Sequence, residues 1–175
     1  MTDASASLPL RLILTQKTLV LATADPDPWA APVYYVYQHR RFCFFSASDS
    51  RHVTAALASN RCAASVYRDS DEWREIEGLQ MEGRLERIPV GADALGVFCA
   101  YLNKFPTVKD FFANAAFDFS QFTQRFQTQL FAFVPRHAFY LNNQAGLGQR
   151  REIELPDYVT GVSPQRRNSL CSRSR

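Results

Sequence analysis

The chain has 175 residues, 46% of them hydrophobic and 21% charged, a length and balance that predict one globular domain and exclude disorder throughout. The formal net charge is +3, but every acid lies at or before Asp157 while Arg166, Arg167, Arg173 and Arg175 crowd the end. The body is therefore near neutral, which argues against a folded nucleic-acid-binding face. No stretch approaches the roughly 18 consecutive apolar residues of a membrane span, so no membrane partner is expected. The acidic, small-residue N-terminus also lacks the basic and apolar regions of a secretory signal. The cysteines at 43, 62, 99 and 171 show no C-x-x-C spacing, which predicts a reduced, cytoplasmic protein. His39, His52 and His137 lack metal-ligand spacing, and no metal site is expected.

After a leader expected to be flexible over residues 1–14, Thr18–Ala24 reads as a buried strand. The run Asp25-Pro26-Asp27-Pro28 is turn chemistry. Ala31–Gln38 and Phe42–Ser46 predict a second and a third strand, joined by the short polar segment Gln38–Arg41. Val53, Ala56 and Leu57 fall at i, i+3, i+4 behind a serine- and aspartate-rich stretch, which predicts a helix. Cys62–Tyr67 returns to strand, and Asp69–Arg74 is a polar loop. Glu77–Ile88 then alternates, with Leu79, Met81 and Leu85 on one face and Gln80, Glu82, Arg84 and Glu86 on the other. Gly83 leaves a gap in the apolar face that permits a bend or a close approach.

Pro89 opens a helical region, with a helix over Ala94–Leu102 and further turns to about Phe126. Eight of the fourteen phenylalanines lie between Phe98 and Phe126; aromatics at helical spacing predict core or a dimer interface before a ligand lid. Gln129–Pro135 and His137–Leu141 predict the last long strand, interrupted near Pro135, followed by a glycine and amide loop over Asn142–Gly148. Residues 157–175 are expected to form a disordered basic tail. Six mainly antiparallel strands with flanking helices predict an α+β, mainly β fold closed into a barrel.

The segment that carries chemistry is Phe44–His52, FFSASDSRH. A strand delivers three serines, Arg51 and His52 to the start of a helix, where backbone N–H groups are unpaired and the helix dipole favours negative charge. Serine hydroxyls donate hydrogen bonds, and a guanidinium offers a charged fork matched to phosphate oxygens. These residue types describe an anion site best suited to phosphate, with Asp49 opposing it unless it caps the helix. A serine-capped surface helix with a solvent-facing arginine is the plainer alternative.

The order of these segments resembles the pyridoxamine 5′-phosphate oxidase-like superfamily of FMN-binding split barrels. The resemblance rests on F-F-S-x-S-x-S-R-H at Phe44–His52, N-R-C-A-A-S-V at Asn60–Val66, A-T-A-D-P-D at Ala22–Asp27, V-Y-Y-V at Val33–Val36, G-L-Q-M-E-G-R-L-E-R-I at Gly78–Ile88 and Y-L-N-K-F-P at Tyr101–Pro106. It covers roughly residues 15–110. Phe131–Ile153 is similar to a small bacterial branch of the same superfamily. The resemblance implies a six-stranded antiparallel split β-barrel over residues 15–156, an FMN cofactor and a homodimer.

On this resemblance Ser46, Ser50 and Arg51 match phosphate-contacting positions, and His52 stands where the family has lysine. Val33, Tyr34 and Tyr35 would lie along the isoalloxazine with backbone groups towards its polar edge, and Gln80 would face the flavin from the polar side of its strand. The oxidase's C-terminal R-L-x-P segment and its basic grip on the substrate phosphate have no counterpart here, so pyridoxamine phosphate is not the expected substrate. The implied function is a flavin-dependent oxidoreductase acting on an unknown small molecule, with no acid, base or nucleophile assigned. The alternative is a non-catalytic flavin- or haem-binding module, in which His39 or His137 would have to ligate the haem iron.

Overall fold

The computed structural model describes residues 4–110 and 119–158. In chain order these form α1 (Ala4–Thr15), β1 (Thr18–Thr23), β2 (Trp29–Tyr34), β3 (Val36–Gln38), β4 (Arg41–Ser46), α2 (Arg51–Ser59), β5 (Cys62–Arg68), β6 (Glu77–Arg87), α3 (Ala92–Lys104), α4 (Pro106–Asp110), α5 (Phe119–Phe126), β7 (Gln129–Asn142) and β8 (Arg150–Glu152). The strands lie in the order β2-β1-β5-β6-β7-β4-β3, with β8 on β7, and all pairs are antiparallel.

The two ends of that order are one run of chain. β2 and β3 are separated only by Tyr35, so Trp29–Gln38 pairs with β1 through its first half and with β4 through its second. Tyr35 falls outside both ladders and its N–H donates to the Lys17 carbonyl at 3.2 Å. This shared segment curls the sheet into the expected split barrel. With Trp29–Gln38 counted as one strand, the six strands read from the sequence are all formed. The additional strand is β8, three exposed charged residues paired to Phe139–Leu141, which carry no alternation to betray them.

Strand alternation separates two cores. Phe42 and Phe44 of β4, Phe131 and Phe133 of β7, and Tyr35 and Tyr37 point into the barrel with Leu19, Leu21, Leu79, Met81 and Leu85. Cys43, Leu130, Ala132 and Val36 point the other way, where Val97, Phe98, Tyr101, Phe119 and Phe122 cover them. The double-sided hydrophobicity of β3 and β4 thus comes from burial on both faces. The described phenylalanines of the helical region are mostly core, although Phe126 remains 40% exposed; Phe111, Phe112 and Phe117 lie outside the described residues.

Both ends of the chain differ from the sequence reading where they are described. The segment expected as a flexible leader contains α1, and its Leu12 and Ile13 are fully buried against the barrel. Pro9 and the small residues before it masked that helix, whose amphipathic face becomes apparent only against the barrel it packs on. Leu155 is buried, the Tyr37 hydroxyl donates to the Pro156 carbonyl at 2.6 Å, and the His39 N–H donates to the Tyr158 carbonyl at 2.9 Å. The fold therefore continues past residue 156, to at least Tyr158. The rest of the expected tail lies outside the described residues.

Gly83 marks a close approach of two strands. The pairing of β6 with β7 shifts register between Glu82 and Gly83, where Glu82 opposes His137 and Gly83 opposes Pro135. A Cβ at Gly83 would run into the Val134 carbonyl oxygen and reach 2.9 Å from its carbon. The bulge lets β7 run unbroken through Pro135, a residue with no ladder N–H to give.

Candidate functional site

The inward positions of β4 are Phe42, Phe44 and Ser46, so alternation places one hydroxyl at the end of an aromatic row. Ser46 is 9% exposed. The chain then turns: the Ser50 N–H and hydroxyl both donate to the Ala47 carbonyl, at 3.2 and 2.8 Å. Ser50 is the N-cap of α2 with an extended backbone, but its side chain makes no capping bond to the helix. Turned back towards the loop, it leaves the first turn of α2 without a side-chain acceptor. Asp49 is exposed and does not occupy the cap.

His52 completes the cluster. Its Nε2 lies 3.0 Å from Ser46 Oγ and 3.5 Å from Ser50 Oγ, and the two hydroxyl oxygens are 3.1 Å apart. Ser50 spends its single proton on Ala47, so the arrangement satisfying both short contacts runs His52 Nε2–H to Ser46, Ser46 to Ser50, and Ser50 to the Ala47 carbonyl. Half-buried beside the Phe44 ring, the imidazole is held below the ordinary histidine pKa by desolvation. It is a neutral donor near pH 7.

Arg51 points differently. Its guanidinium sits over the Trp29 ring, 4.6 Å from the centroid, with Asp27 Oδ2 3.7 Å from Nη2. Both partners come from the β1–β2 turn and its exit, and both side chains are substantially exposed. Exposed pairs of this kind are worth a few tenths of a kcal/mol to about 1 kcal/mol, less than a charged bond to a phosphate. Sequence reasoning passed over Asp27 and Trp29, reading the first as turn chemistry only. An aromatic directly behind an Asp-Pro-Asp-Pro turn was the available signal.

The remaining sequence-predicted residues lie apart from this cluster. Val33 and Tyr35 are buried with their side chains in the barrel core, and the Tyr35 hydroxyl donates to the Ile13 carbonyl at 2.7 Å. Tyr34 points outward and is 58% exposed, its ring 5.0 Å from that of Phe105. Gln80 is exposed on the outer face of β6 between Ser65 and Phe139. Ser46 is registered against Gln129, ten residues before Phe139 on the same strand, so roughly 30 Å of strand separates the two registers. Within one chain, Ser46, Ser50 and His52 form one hydrogen-bonded cluster, Arg51 flanks it, and Gln80 lies elsewhere. Among the histidines considered for haem, His39 lies 3.6 Å from Asp157, and His137 Nδ1 is 2.7 Å from Glu152.

Two hydroxyls, an imidazole N–H, an exposed guanidinium and an uncapped helix start are a donor set for an oxyanion. In this chemistry and in the backbone that holds it, the residues fit the phosphate of a bound nucleotide or flavin.

The sequence profile described as Pyridoxamine 5′-phosphate oxidase matches residues 10–142. No curated protein matches the sequence significantly. Among solved structures, a heme binding protein from Mycobacterium smegmatis superposes with a TM-score of 0.63 at 17% identity, over 87% of this chain and 59% of that one. The present chain thus spans about three fifths of that protein's length. The heme storage protein HutZ from Vibrio cholerae gives 0.60 at 14% identity, over 78% and 95% of the two chains. A FAD-binding protein from Mesorhizobium loti gives 0.58 at 15% identity, over 85% and 94%. At these identities the likeness concerns the fold.

Proposed function

The chain belongs to the pyridoxamine 5′-phosphate oxidase family, and on that premise we propose that it binds FMN and acts as a flavin-dependent oxidoreductase on a small-molecule substrate. The observation that carries this reading is the Ser46–Ser50–His52 triangle at the uncapped start of α2, with Arg51 in reach of the same helix end. On binding, the Ser46, Ser50 and His52 protons would turn from one another and from the Ala47 carbonyl to the flavin phosphate, and Arg51 would leave Trp29 and Asp27 to close on it. The backbone of Val33–Tyr35 would face the isoalloxazine, with Tyr34 as the side chain on the open face. When bound, the flavin supplies hydride or electron transfer, while the protein positions it and sets its surroundings.

The same reading proposes a homodimer. Among the described residues the outer face of β1, β2 and β5 lacks the helical cover that β3 and β4 receive, and it exposes small and aromatic residues such as Ala30, Pro32, Tyr34, Ala63 and Tyr67. In a dimer the partner's Gln80 would come to the flavin from across that face. A monomer by light scattering at micromolar concentration contradicts the pairing. A cytoplasmic location accords with Cys43, Cys62 and Cys99 being free thiols; no helix among the described residues is long and apolar enough to cross a membrane.

The deciding experiment is the visible absorption spectrum of the purified protein, with the heat-released cofactor identified by chromatography. A yellow protein that releases FMN is the expected result. A colourless protein that takes up no added FMN overturns the reading. The second reading, a non-catalytic haem module, is favoured by the two heme proteins among the structural neighbours, and a Soret band would bring it forward.

A further inference from the structure

Lys104 stands outside the phosphate cluster, at the last turn of α3. Its Nζ lies 4.0 Å from the centroid of the buried Tyr35 ring and 5.9 Å from that of Phe105. Lys104 lines a cleft of about 220 Å³ together with the apolar Leu14, Val36 and Ala100 and the polar Tyr37, Asn103 and Tyr158. Among the described residues no carboxylate pairs with it, and the charged neighbour acting on it is a second cation, Lys17. Its titratable surroundings are therefore Lys17 ahead of β1, Tyr35 and Tyr37 from the shared strand, and Tyr158.

An ammonium on an aromatic floor recovers part of its lost hydration through the ring quadrupole, but with no anion beside it the charged form is held less firmly than on a solvated lysine. Lysines become nucleophiles in two ways, by desolvation in an apolar pocket or by a neighbouring cation. Lys104 has both.

We propose that Lys104 is a nucleophilic amine that condenses reversibly with small aldehydes entering the Leu14–Val36–Ala100 cleft. The free amine adds to the carbonyl carbon, giving a carbinolamine. A proton taken up from solvent then lets the former carbonyl oxygen leave as water, and the product is the protonated imine. No electrons change hands, and hydrolysis returns both partners. The cleft is smaller than the ~300–1,000 Å³ of drug-sized sites, which confines the partner to a small carbonyl compound with an apolar body. The inference does not depend on flavin binding.

Burial pushes the Lys104 pKa down to about 8. About a tenth of it is then free base at pH 7, against a few parts in ten thousand for an ordinary lysine. Lower basicity gives back part of that advantage in nucleophilicity, leaving a rate excess on the order of ten-fold or more. The sequence makes the comparison simple, because the lysines are Lys17, Lys104 and Lys109.

The test is reductive trapping: the full chain is incubated with benzaldehyde and sodium cyanoborohydride, and occupancy at each lysine is read by peptide mass spectrometry across pH 6–10. The expected result is labelling of Lys104 about ten-fold or more faster than Lys17 at pH 7, with a midpoint near pH 8, and loss of the preference in concentrated urea. Labelling of Lys104 no faster than Lys17, no labelling at all, or a preference that persists in urea would each overturn the proposal. Competitive acetylation with acetic anhydride gives an independent midpoint, and a value of 10 or above would overturn it as well.

Discussion

The Arg51 guanidinium and the Trp29 ring are stacked 4.6 Å apart across the junction between α2 and the β1–β2 turn. They hold the one cation of the phosphate motif over an aromatic instead of over the motif's hydroxyls. Both side chains are open to solvent, so the contact is weak enough for an anion at the helix start to displace.

Arg51→Ala is therefore expected to lower FMN affinity by ten- to a hundred-fold, the range of one charged hydrogen-bonded contact of about 1.5–3 kcal/mol. Arg51→Lys keeps the charge but loses the fork, and should fall between. Bound FMN per chain after dialysis is the measurement, with Trp29 emission as a second readout of the guanidinium leaving the ring. Undiminished occupancy in Arg51→Ala would sink the phosphate-clamp reading.

Ser46 is the node of the cluster, accepting from His52 and donating to Ser50 while almost fully buried. Ser46→Ala removes both bonds and leaves the imidazole N–H facing a methyl group. A loss of about 1–2 kcal/mol of stability is expected from the unsatisfied donor, seen as a lower urea midpoint at constant m-value. FMN retention should fall alongside it. A variant with unaltered midpoint would mean that the chain of donors from His52 to Ala47 does not hold.

What the sequence made legible follows from local periodicity. β4 and β6 are read correctly because Phe42, Phe44, Leu79, Met81 and Leu85 alternate at period two, and the hydroxyls and Arg51 are found because they sit together in nine residues of chain. The Arg51–Trp29 pair spans twenty-two residues, and Lys104 meets Tyr35 across sixty-nine. Contacts of that separation exist only after the barrel closes at Tyr35. The inward turn of Val33 and Tyr35 was equally hidden, because V-Y-Y-V-Y is apolar on both sides and alternation alone does not choose a face. α1 escaped notice because its stability comes from docking Leu12 and Ile13 on a surface that the rest of the chain builds.

Gly83 carries the bulge that lets β6 and β7 pair on both sides of Pro135. Gly83→Ala puts a methyl group into the Val134 carbonyl, and both of the nearest atoms are backbone, so no side chain can yield to it. The bulge must open or the ladder must slip, and a loss of about 3 kcal/mol or more is expected. Equilibrium unfolding in urea checks it. A loss under about 1 kcal/mol would show that the two strands have room to part.

His52 makes phosphate binding depend on pH in a direction that its environment sets. Burial holds the ligand-free imidazole below the ordinary value of 6.5, so at pH 7 it is neutral, whereas an anion on Nε2 favours the imidazolium. Binding therefore takes up a proton. FMN affinity should rise as pH falls from 8 towards 6, until the phosphate acquires its own second proton near pH 6. The ligand-free protein moves the opposite way. With the folded pKa depressed, its stability is full above about 6.5 and declines as pH falls through that value towards the folded pKa. His52→Gln keeps a donor without a titration and should flatten both profiles. Isothermal titration of FMN at pH 6, 7 and 8 in buffers of different ionisation enthalpy counts the proton directly. Proton release, or uptake unchanged in His52→Gln, would remove His52 from the site.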